Sequence, residues 1–232
     1  MSDRVYAKPV VINSTVHTNL KIAPVSSFAF AKELNSCVVL GSEFLEAAKY
    51  YPIIFSQTND NIIPVVILGI KHNLYVDDDG KWQKNTYMPA FIRRYPFILA
   101  EGLSSDGSLA VCIDSNYKGF EAEEGERLFT DAGENTPMLS NAINFLRMYN
   151  TNWETTKAFI GFLKGLNIFK TVDVNITLPG DVKFNIKGIS MIDEEAMLKL
   201  PDADLLALVK RGYLAWIYAH LVSITNFTKM FK

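Results

Sequence analysis

An apolar seam in the second half of the chain limits the possible folds more than any other feature. Thr136-Pro137 has the residues of a helix start, an N-cap followed by proline at the first helical position. The spacing that follows predicts one helix of about 28 residues, or two helices that meet near 150–152, ending before Gly165. A seam of this length has to be buried, either within its own chain or against a second copy in a homodimer formed through 139–163. The seam residues are spaced alternately three and four apart: Leu139, Ala142, Leu146, Tyr149, Trp153, Thr156, Ile160 and Leu163.

Two similar segments in the first 130 residues predict an antiparallel sheet. Residues 42–70 contain the pattern of a short helix that stops at Tyr51-Pro52, then a strand, a polar turn and a returning strand. Residues 87–114 repeat that order, with Tyr95-Pro96 at the end of the helix. The two segments are therefore expected to supply two hairpins to one mainly antiparallel sheet.

The remaining elements complete the fold prediction. Alternating apolar residues on both sides of Pro179-Gly180-Asp181 predict a β-hairpin over 171–188. Two short helices and a final, largely apolar helix are expected after it. We predict an α+β protein: a mainly antiparallel sheet with short helices, followed by a long helix, a β-hairpin and a helical C-terminal segment. It is expected to be a single domain over 1–232, with approximate sub-parts 1–130 and 131–232.

Composition and charge exclude several classes of function. The 232-residue chain has a formal net charge of −2, so it has no electrostatic basis for binding nucleic acid or an anionic membrane. Its longest uninterrupted apolar run, 62–70, is far shorter than the roughly 20 residues that span a bilayer. We find no N-terminal signal peptide, and Cys37 and Cys112 lie in apolar runs typical of buried free thiols. These observations predict a cytoplasmic protein.

Metal and nucleotide sites are not predicted. The histidines His17, His72 and His220 lack the spacing of zinc or facial-triad ligands, and residues 77–80 lack that of a calcium loop. The glycine-rich phosphate-binding motifs and the Gly-x-Ser-x-Gly nucleophile motif are absent. No cofactor is therefore expected, and no catalytic residue can be assigned. His220 is interpreted as a core histidine that hydrogen-bonds to a backbone carbonyl or a tyrosine.

The adjacent arginines Arg93 and Arg94 are the most informative polar feature. Neighbouring helical residues point about 100° apart, so the two side chains are expected to lie in different environments. The interpretation that we favour places one arginine in water and the other along aromatic side chains, ion-paired with Asp114 or Glu43. In the alternative, the planar guanidinium receives the carboxylate of a peptide or a small acid. The predicted binding residues are Arg93, Arg94, Tyr95, Asp114 and His220.

Several segments, in order along nearly the whole chain, resemble the SapC family of bacterial proteins. The combination is specific because all of the segments occur together and in sequence. The family supplies no catalytic residues to transfer to this chain. The segments are HTNLKI, FAFAKELNSCVVLGSEFLEAAKYYPIIF, NLYVDDDGKW, YMPAFIRRYPFILA, LFTDAGENTPML and the ending GISMIDEEAMLKLPDADLLALVKRGYLAWIYAHLVSITNF.

The resemblance implies a function at the cell envelope. The family is named after a surface-layer gene cluster of a Gram-negative bacterium. Its members tend to be encoded beside TonB-dependent outer-membrane receptors and modifying enzymes that use flavin or iron. A surface-layer subunit has to leave the cell, whereas this sequence shows no export signal. The resemblance therefore implies either a cytoplasmic accessory protein or export to the surface by a route without a cleaved signal.

Two hypotheses about function follow from the sequence. The leading one is a non-enzymatic binding or accessory protein whose client is a protein or peptide linked to the surface layer or to outer-membrane receptors. The alternative is an enzyme, or an enzyme subunit, that modifies a peptide. In that case Arg93 or Arg94 holds a carboxylate, while Asp114, His220 or Tyr95 carries a proton.

Overall fold

The computed structural model describes residues 5–58, 61–100, 109–120, 122, 124–177 and 183–231. Every strand pairing in these ranges is antiparallel, and a long helix and shorter C-terminal helices follow. The predicted α+β class is therefore confirmed. The strands are β1 (Pro9–Val11), β2 (Lys21–Ile22), β3 (Ser36–Val38), β4 (Ile53–Thr58), β5 (Asn61–Ile67), β6 (Phe97–Ala100), β7 (Ala110–Asp114), β8 (Glu126–Arg127), β9 (Phe169–Thr177) and β10 (Lys183–Ile192). The α-helices are α1 (Phe44–Ala47), α2 (Ala90–Arg93), α3 (Pro137–Gly165), α4 (Glu194–Leu198), α5 (Asp202–Lys210) and α6 (Tyr213–Ser223).

The chain forms two compact units, each assembled from segments that are separated in the sequence. The helix α3 begins in the first unit and ends in the second. The prediction of a single domain over 1–232 remains a prediction. Unit 1 consists of Met1–Lys32, Val76–Trp82 and Ala90–Thr151, and unit 2 of Glu33–Tyr75, Gln83–Pro89 and Asn152–Lys232.

Unit 1 contains a three-stranded sheet in the order β1-β7-β6 and a separate pair, β2-β8. The central strand β7 pairs Asp114 with Pro9 of β1 and Ile113 with Phe97 of β6. The start of α3 adds its apolar face to the same core, because Leu139 and Leu146 are buried there. The other buried residues of this core are Ile22, Phe97, Ile113, Leu128 and Phe129.

Unit 2 contains a five-stranded sheet in the order β3-β5-β4-β10-β9. Strands β9 and β10 form the predicted hairpin of 171–188, with both strands longer than expected; its turn residues 179–181 lie outside the described ranges. An aromatic cluster forms the core. Phe159 of α3 meets Phe44 edge to face at a centroid distance of 6.1 Å and Trp216 of α6 at 5.2 Å. Aromatic pairs in this geometry stabilise a core beyond the area that they bury.

The long apolar seam forms one continuous helix rather than two. Thr136 caps α3, since its Oγ1 accepts the N–H of Leu139 at 3.4 Å, and the helix ends at Gly165, one residue beyond the predicted end. Five of the predicted seam residues are buried within this chain, so the seam does not require a second copy to cover it. A homodimer through 139–163 stays a prediction. The buried seam residues are Leu139, Leu146, Thr156, Ile160 and Leu163.

The two similar hairpins of the first half do not share a sheet, so that expectation is wrong. The hairpin β4-β5 lies in the five-stranded sheet of unit 2, and β6-β7 lies in the three-stranded sheet of unit 1. The reason lies in the outer partners. Strand β4 pairs on its other side with β10, whereas β7 pairs with β1. A hairpin pattern specifies its own two strands, but not the distant strand that its edge will meet.

The C-terminal segment is helical, as predicted, but its last helix is shorter. After α4 and α5, α6 ends at Ser223 and a 3-10 helix continues over Ile224–Phe231. No single helix in the described part of the chain has the length and apolar character to cross a membrane. The bent pair Asp202–Lys210 and Tyr213–Met230 meets that test only when taken together.

Both cysteines are buried free thiols, as predicted. Cys37 lies in β3 of unit 2 and Cys112 lies in β7 of unit 1. Burial raises the pKa of the Cys112 thiol, so it stays protonated and weakly nucleophilic at neutral pH.

Thr156 fixes α3 to the loop that precedes α1 within unit 2. Its buried Oγ1 accepts the N–H of Gly41 at 2.9 Å and donates to the carbonyl of Asn152 at 2.7 Å. Thr156→Val keeps the shape but leaves that N–H without an acceptor, so we expect the free energy of unfolding to fall by about 2 kcal/mol. Thr156→Ser keeps the hydroxyl, so its free energy of unfolding should fall distinctly less. Urea titration of both variants measures the two losses. Equal losses in the two variants would show that the hydroxyl contributes nothing.

Candidate functional site

A pocket of about 390 Å³ opens beside the two arginines in unit 1. We call it the arginine pocket. The described residues that line it carry two positive charges and one negative charge, hence one net positive charge, and most of the others are apolar. The lining consists of residues 22–25, residues 93–97, Glu126 of β8, and Met138, Asn141, Ala142 and Phe145 of α3.

Short elements of unit 1 place these side chains around one opening. Helix α2 ends at Arg93, and the N–H of Phe97 donates to the carbonyl of Arg94 at 2.8 Å, which turns the chain directly into β6. The spacing of Met138, Ala142 and Phe145 puts them on one face of α3. The arginines thus lie beside an apolar helix face.

Aromatic rings surround the guanidinium group of Arg94. Its Cζ lies 4.6 Å from the ring centroids of both Phe91 and Tyr149, and 5.7 Å from that of Tyr6. The Nε atom is buried and has no hydrogen-bond partner among the described residues. Arg93 is exposed, and its Cζ lies 5.3 Å from the ring centroid of Phe145. The expectation that the two arginines lie in different environments is confirmed, although both line the same pocket.

The ion pair that we favoured between an arginine and Asp114 is absent from the described residues, so the choice of Asp114 as the partner is wrong. The buried carboxylate of Asp114 accepts backbone N–H groups from Ala7 at 3.1 Å, Lys8 at 3.0 Å and Asn116 at 3.2 Å. Because Asp114 ends β7 opposite the start of β1, the turn after it and the segment before β1 both direct N–H groups at its oxygens. These contacts satisfy the charge without an arginine.

Glu43, the other proposed ion-pair partner, belongs to unit 2. Its carboxylate accepts the N–H of Leu40 at 2.9 Å and the hydroxyl of Tyr87 at 2.6 Å. The first bond closes the turn that leads into α1. These contacts give Glu43 a structural role at the start of that helix.

Tyr95 lines the arginine pocket but directs its hydroxyl toward Asp114. The Tyr95 hydroxyl donates to Oδ2 of Asp114 at 3.4 Å, and its ring stacks on Phe30 at a centroid distance of 3.9 Å. Burial and the nearby carboxylate charge both raise the pKa of Tyr95 well above its usual range. Tyr95 therefore keeps its proton at neutral pH. Burial likewise raises the pKa of Tyr6 to about 12, with the Arg94 charge opposing the shift.

His220 belongs to the core of unit 2 and does not line the arginine pocket. Its Nδ1 lies 2.8 Å from the carbonyl oxygen of Ile53, and its Nε2 accepts the N–H of Ile192 at 3.2 Å. The ring is fully buried, and burial lowers the pKa of His220 to about 4. The prediction of a core histidine bonded to a backbone carbonyl is confirmed.

Three of the predicted binding residues therefore meet at one pocket: Arg93, Arg94 and Tyr95. Asp114 contacts two residues of that pocket: its carboxylate accepts the Tyr95 hydroxyl, and its backbone N–H donates to the carbonyl of Pro96 at 2.9 Å. A binding role for any of these residues remains a prediction.

Sequence reasoning missed most of the pocket wall. Met138 and Phe145 share a helical face with Ala142 of the predicted seam, so their spacing was available as a signal. Glu126 was hidden in an acidic run typical of solvated loops. Tyr6 carried no signal, because its approach to Arg94 depends on how β1 meets β7.

Groups of three or more His, Cys, Asp or Glu side chains that could hold a metal are not found among the described residues. The family model that matches the chain is SapC, over residues 12–230. Neither a curated protein nor a solved structure matches the chain.

Proposed function

The chain belongs to the SapC family, and on that premise we propose that it is a non-enzymatic binding protein. Its arginine pocket holds a carboxylate that is carried by an apolar group of a client. The client is a protein or peptide associated with the surface layer or with outer-membrane receptors. The chain acts on it as an accessory in the cytoplasm.

The observation that carries this proposal is the position of two guanidinium groups beside apolar walls. A guanidinium presents N–H groups in a planar fork that matches the two oxygens of a carboxylate. The rings of Phe91 and Tyr149 hold the Arg94 group in place, so little side-chain freedom is lost when a ligand binds. The apolar side of α3 adds burial for the group that carries the carboxylate.

The residues around the arginines support binding rather than proton transfer. Tyr95 keeps its proton at neutral pH, and the oxygens of Asp114 already accept three backbone N–H groups. His220 serves the backbone of unit 2. The same carboxylate grip would serve the alternative, an enzyme that modifies a peptide, but no contact of these three side chains favours it.

The proposal predicts that 4-phenylbutyrate, an apolar group bearing a carboxylate, binds the protein in a calorimetric titration and that its amide does not. The double variant Arg93→Gln/Arg94→Gln should weaken binding of the acid about 30-fold, because charge-assisted hydrogen bonds are lost. Arg147→Gln removes an exposed arginine of α3 that does not line the pocket, so it should bind like the unchanged protein.

The same three proteins, used as bait in lysate of the native bacterium, test the client. Envelope or receptor-type proteins should be retained by the unchanged chain and by Arg147→Gln, and lost with the double variant. Retention by all three baits would place the client elsewhere. Recovery of no envelope protein by the unchanged chain would count against the accessory role. Thermal melting of the variants shows whether each remains folded.

A further inference from the structure

We infer that the arginine pocket reads the free carboxy-terminus of an extended peptide, and that the preceding residues of that peptide occupy a second, adjoining pocket. This inference rests on the proposed function and specifies its ligand. The terminal carboxylate meets Arg93 and Arg94, and the last side chain enters the apolar part of the arginine pocket. The chain of the peptide then crosses Ala23-Pro24.

The second pocket lies on the other side of that crossing. It has a volume of about 400 Å³ and shares Ala23, Pro24 and Tyr95 with the arginine pocket. Because the same residues line both, the two pockets adjoin. We call the second one the hydroxyl pocket, after Ser26, Ser27 and Tyr117 in its lining.

The wall between the pockets is fixed by its own contacts. The hydroxyl of Tyr117 donates to the carbonyl of Ala23 at 2.9 Å. Nζ of Lys81 donates to the carbonyl of Ser26 at 2.8 Å. The ring of Tyr95 is stacked on Phe30. A peptide that crosses this wall therefore meets a surface that is already ordered, which lowers the cost of binding.

A carboxy-terminus fits the arginine pocket better than the side chain of an internal acidic residue. In a terminal residue the carboxylate and the side chain leave the same Cα, so cations and apolar surface are needed side by side. An internal Asp or Glu carries no apolar group beyond its carboxylate, and it brings peptide chain on both sides. The arginine pocket offers the first arrangement: Arg93 and Arg94 beside Met138 and Phe145 of α3.

Glu126 sets a preference for the last side chain. It is the one acidic residue among the described residues that line the arginine pocket. A second carboxylate in the apolar part would meet this like charge, so Asp or Glu at the last position is disfavoured. A leucine or phenylalanine in that position buries its apolar side chain and carries no charge that Glu126 would repel.

The two adjoining pockets require a ligand longer than two residues. An extended chain advances about 3.3 Å per residue, so a dipeptide fills one pocket while a pentapeptide reaches the other. The residues that enter the hydroxyl pocket meet serine, asparagine and lysine groups, which favours small polar side chains.

Fluorescence polarisation with labelled peptides tests the inference. The probes are Gly-Ser-Thr-Ala-Leu as the free acid, the same peptide as its amide, the version ending in Glu, the dipeptide Ala-Leu, and decanoate as a competitor. We expect the amide and the Glu version to bind at least about 10-fold more weakly than the free acid. The dipeptide should also bind about 10-fold more weakly, because it loses the contacts of the second pocket.

Two substitutions separate the pockets. Ser26→Trp and Asn116→Trp each place a large ring at an exposed position of the hydroxyl pocket. Either should remove the advantage of the pentapeptide and leave the dipeptide unchanged. The use of two sites keeps the test valid if one variant fails to fold. Glu126→Gln should reduce the discrimination against a terminal Glu.

Each contrary result has a distinct meaning. Equal binding of acid and amide overturns recognition of a carboxy-terminus. Equal binding of dipeptide and pentapeptide overturns the role of the hydroxyl pocket and leaves the proposed function intact. Competition by decanoate as strong as that of the unlabelled pentapeptide assigns the pocket to a fatty acid instead. Failure of both the peptide acid and 4-phenylbutyrate to bind removes the proposed function itself.

Discussion

Asp114→Ala should lower the free energy of unfolding by about 3 kcal/mol, because it removes a buried carboxylate that accepts three backbone N–H groups. Ala7 and Lys8 are exposed, so water will replace part of what their N–H groups lose. The group from Asn116 lies in the turn that follows β7. Asp114 therefore holds the N-terminal segment and this turn to the end of one strand.

Asp114→Asn is the matched variant, since it keeps the shape and one acceptor oxygen. The NH2 group of the asparagine takes the place of one carboxylate oxygen and cannot accept a hydrogen bond, so at least one backbone N–H group loses its acceptor. We therefore expect about half of the loss of stability seen for Asp114→Ala. Tyr95→Phe removes only a 3.4 Å hydrogen bond and should change stability little. Urea titration measures all three variants. A loss for Asp114→Ala no greater than that for Tyr95→Phe would contradict the role given to the backbone contacts.

Hydrogen exchange locates the effect of Asp114→Ala. Protection of the amides of Ala7 and Lys8 should be lost first, with β1 following because its register begins opposite Asp114. The sheet of unit 2 shares no strand with β1 and should keep its protection. Uniform loss of protection across both units would show that Asp114 acts on global stability alone.

His220 should make the stability of the protein depend on pH. Its pKa falls from 6.5 to about 4 on folding, because the buried ring favours the neutral form. Between those values the unfolded chain binds a proton that the folded chain does not, so stability falls as the pH falls from 6.5 toward 4. From pH 7 to pH 5 we expect a loss of about 2 kcal/mol from this group.

His220→Gln removes the titrating group and isolates its contribution. The variant should be less stable at pH 7, because one of the two backbone bonds of the ring is lost, yet it should lose less stability on going to pH 5. His72→Gln replaces an exposed histidine and serves as the matched control substitution. Urea titrations at both pH values give the loss of stability between pH 7 and pH 5 for each of the three proteins. A parallel decline in His220→Gln and the unchanged protein would assign the effect to other groups.

The elements that the sequence predicted correctly are those that a local pattern of residues is enough to identify. The seam of α3 alternates by three and four because one helix face is buried, and the caps Thr136 and Gly165 mark its ends. The hairpin of 171–188 was predicted for a similar reason, since apolar residues alternate along the sequence on both sides of one turn. The core role of His220 followed from its place in an apolar helix.

The candidate site was less predictable because it depends on contacts between distant segments. Arg94 was recognised as unusual, but the rings of Tyr6 and Tyr149 come from opposite ends of unit 1. From the sequence alone, an arginine among aromatic residues and an acidic residue at a predicted strand end favour an ion pair. The register of β1 against β7 brings the backbone N–H groups of the N-terminal segment to Asp114. Arg94 packs against aromatic rings instead of pairing with that carboxylate.

The interleaving of the two units determines how far the chain can fold while it is being synthesised. Unit 1 lacks the first part of α3 until residue 151 has left the ribosome, although its first strand is made at the start. In unit 2 the hairpin β4-β5 is made early, but β10, which covers the open edge of β4, arrives only after residue 183. A nascent chain therefore carries an unpaired strand edge through much of translation, and such edges associate with other chains. Truncated forms that stop before β10 retain that edge permanently.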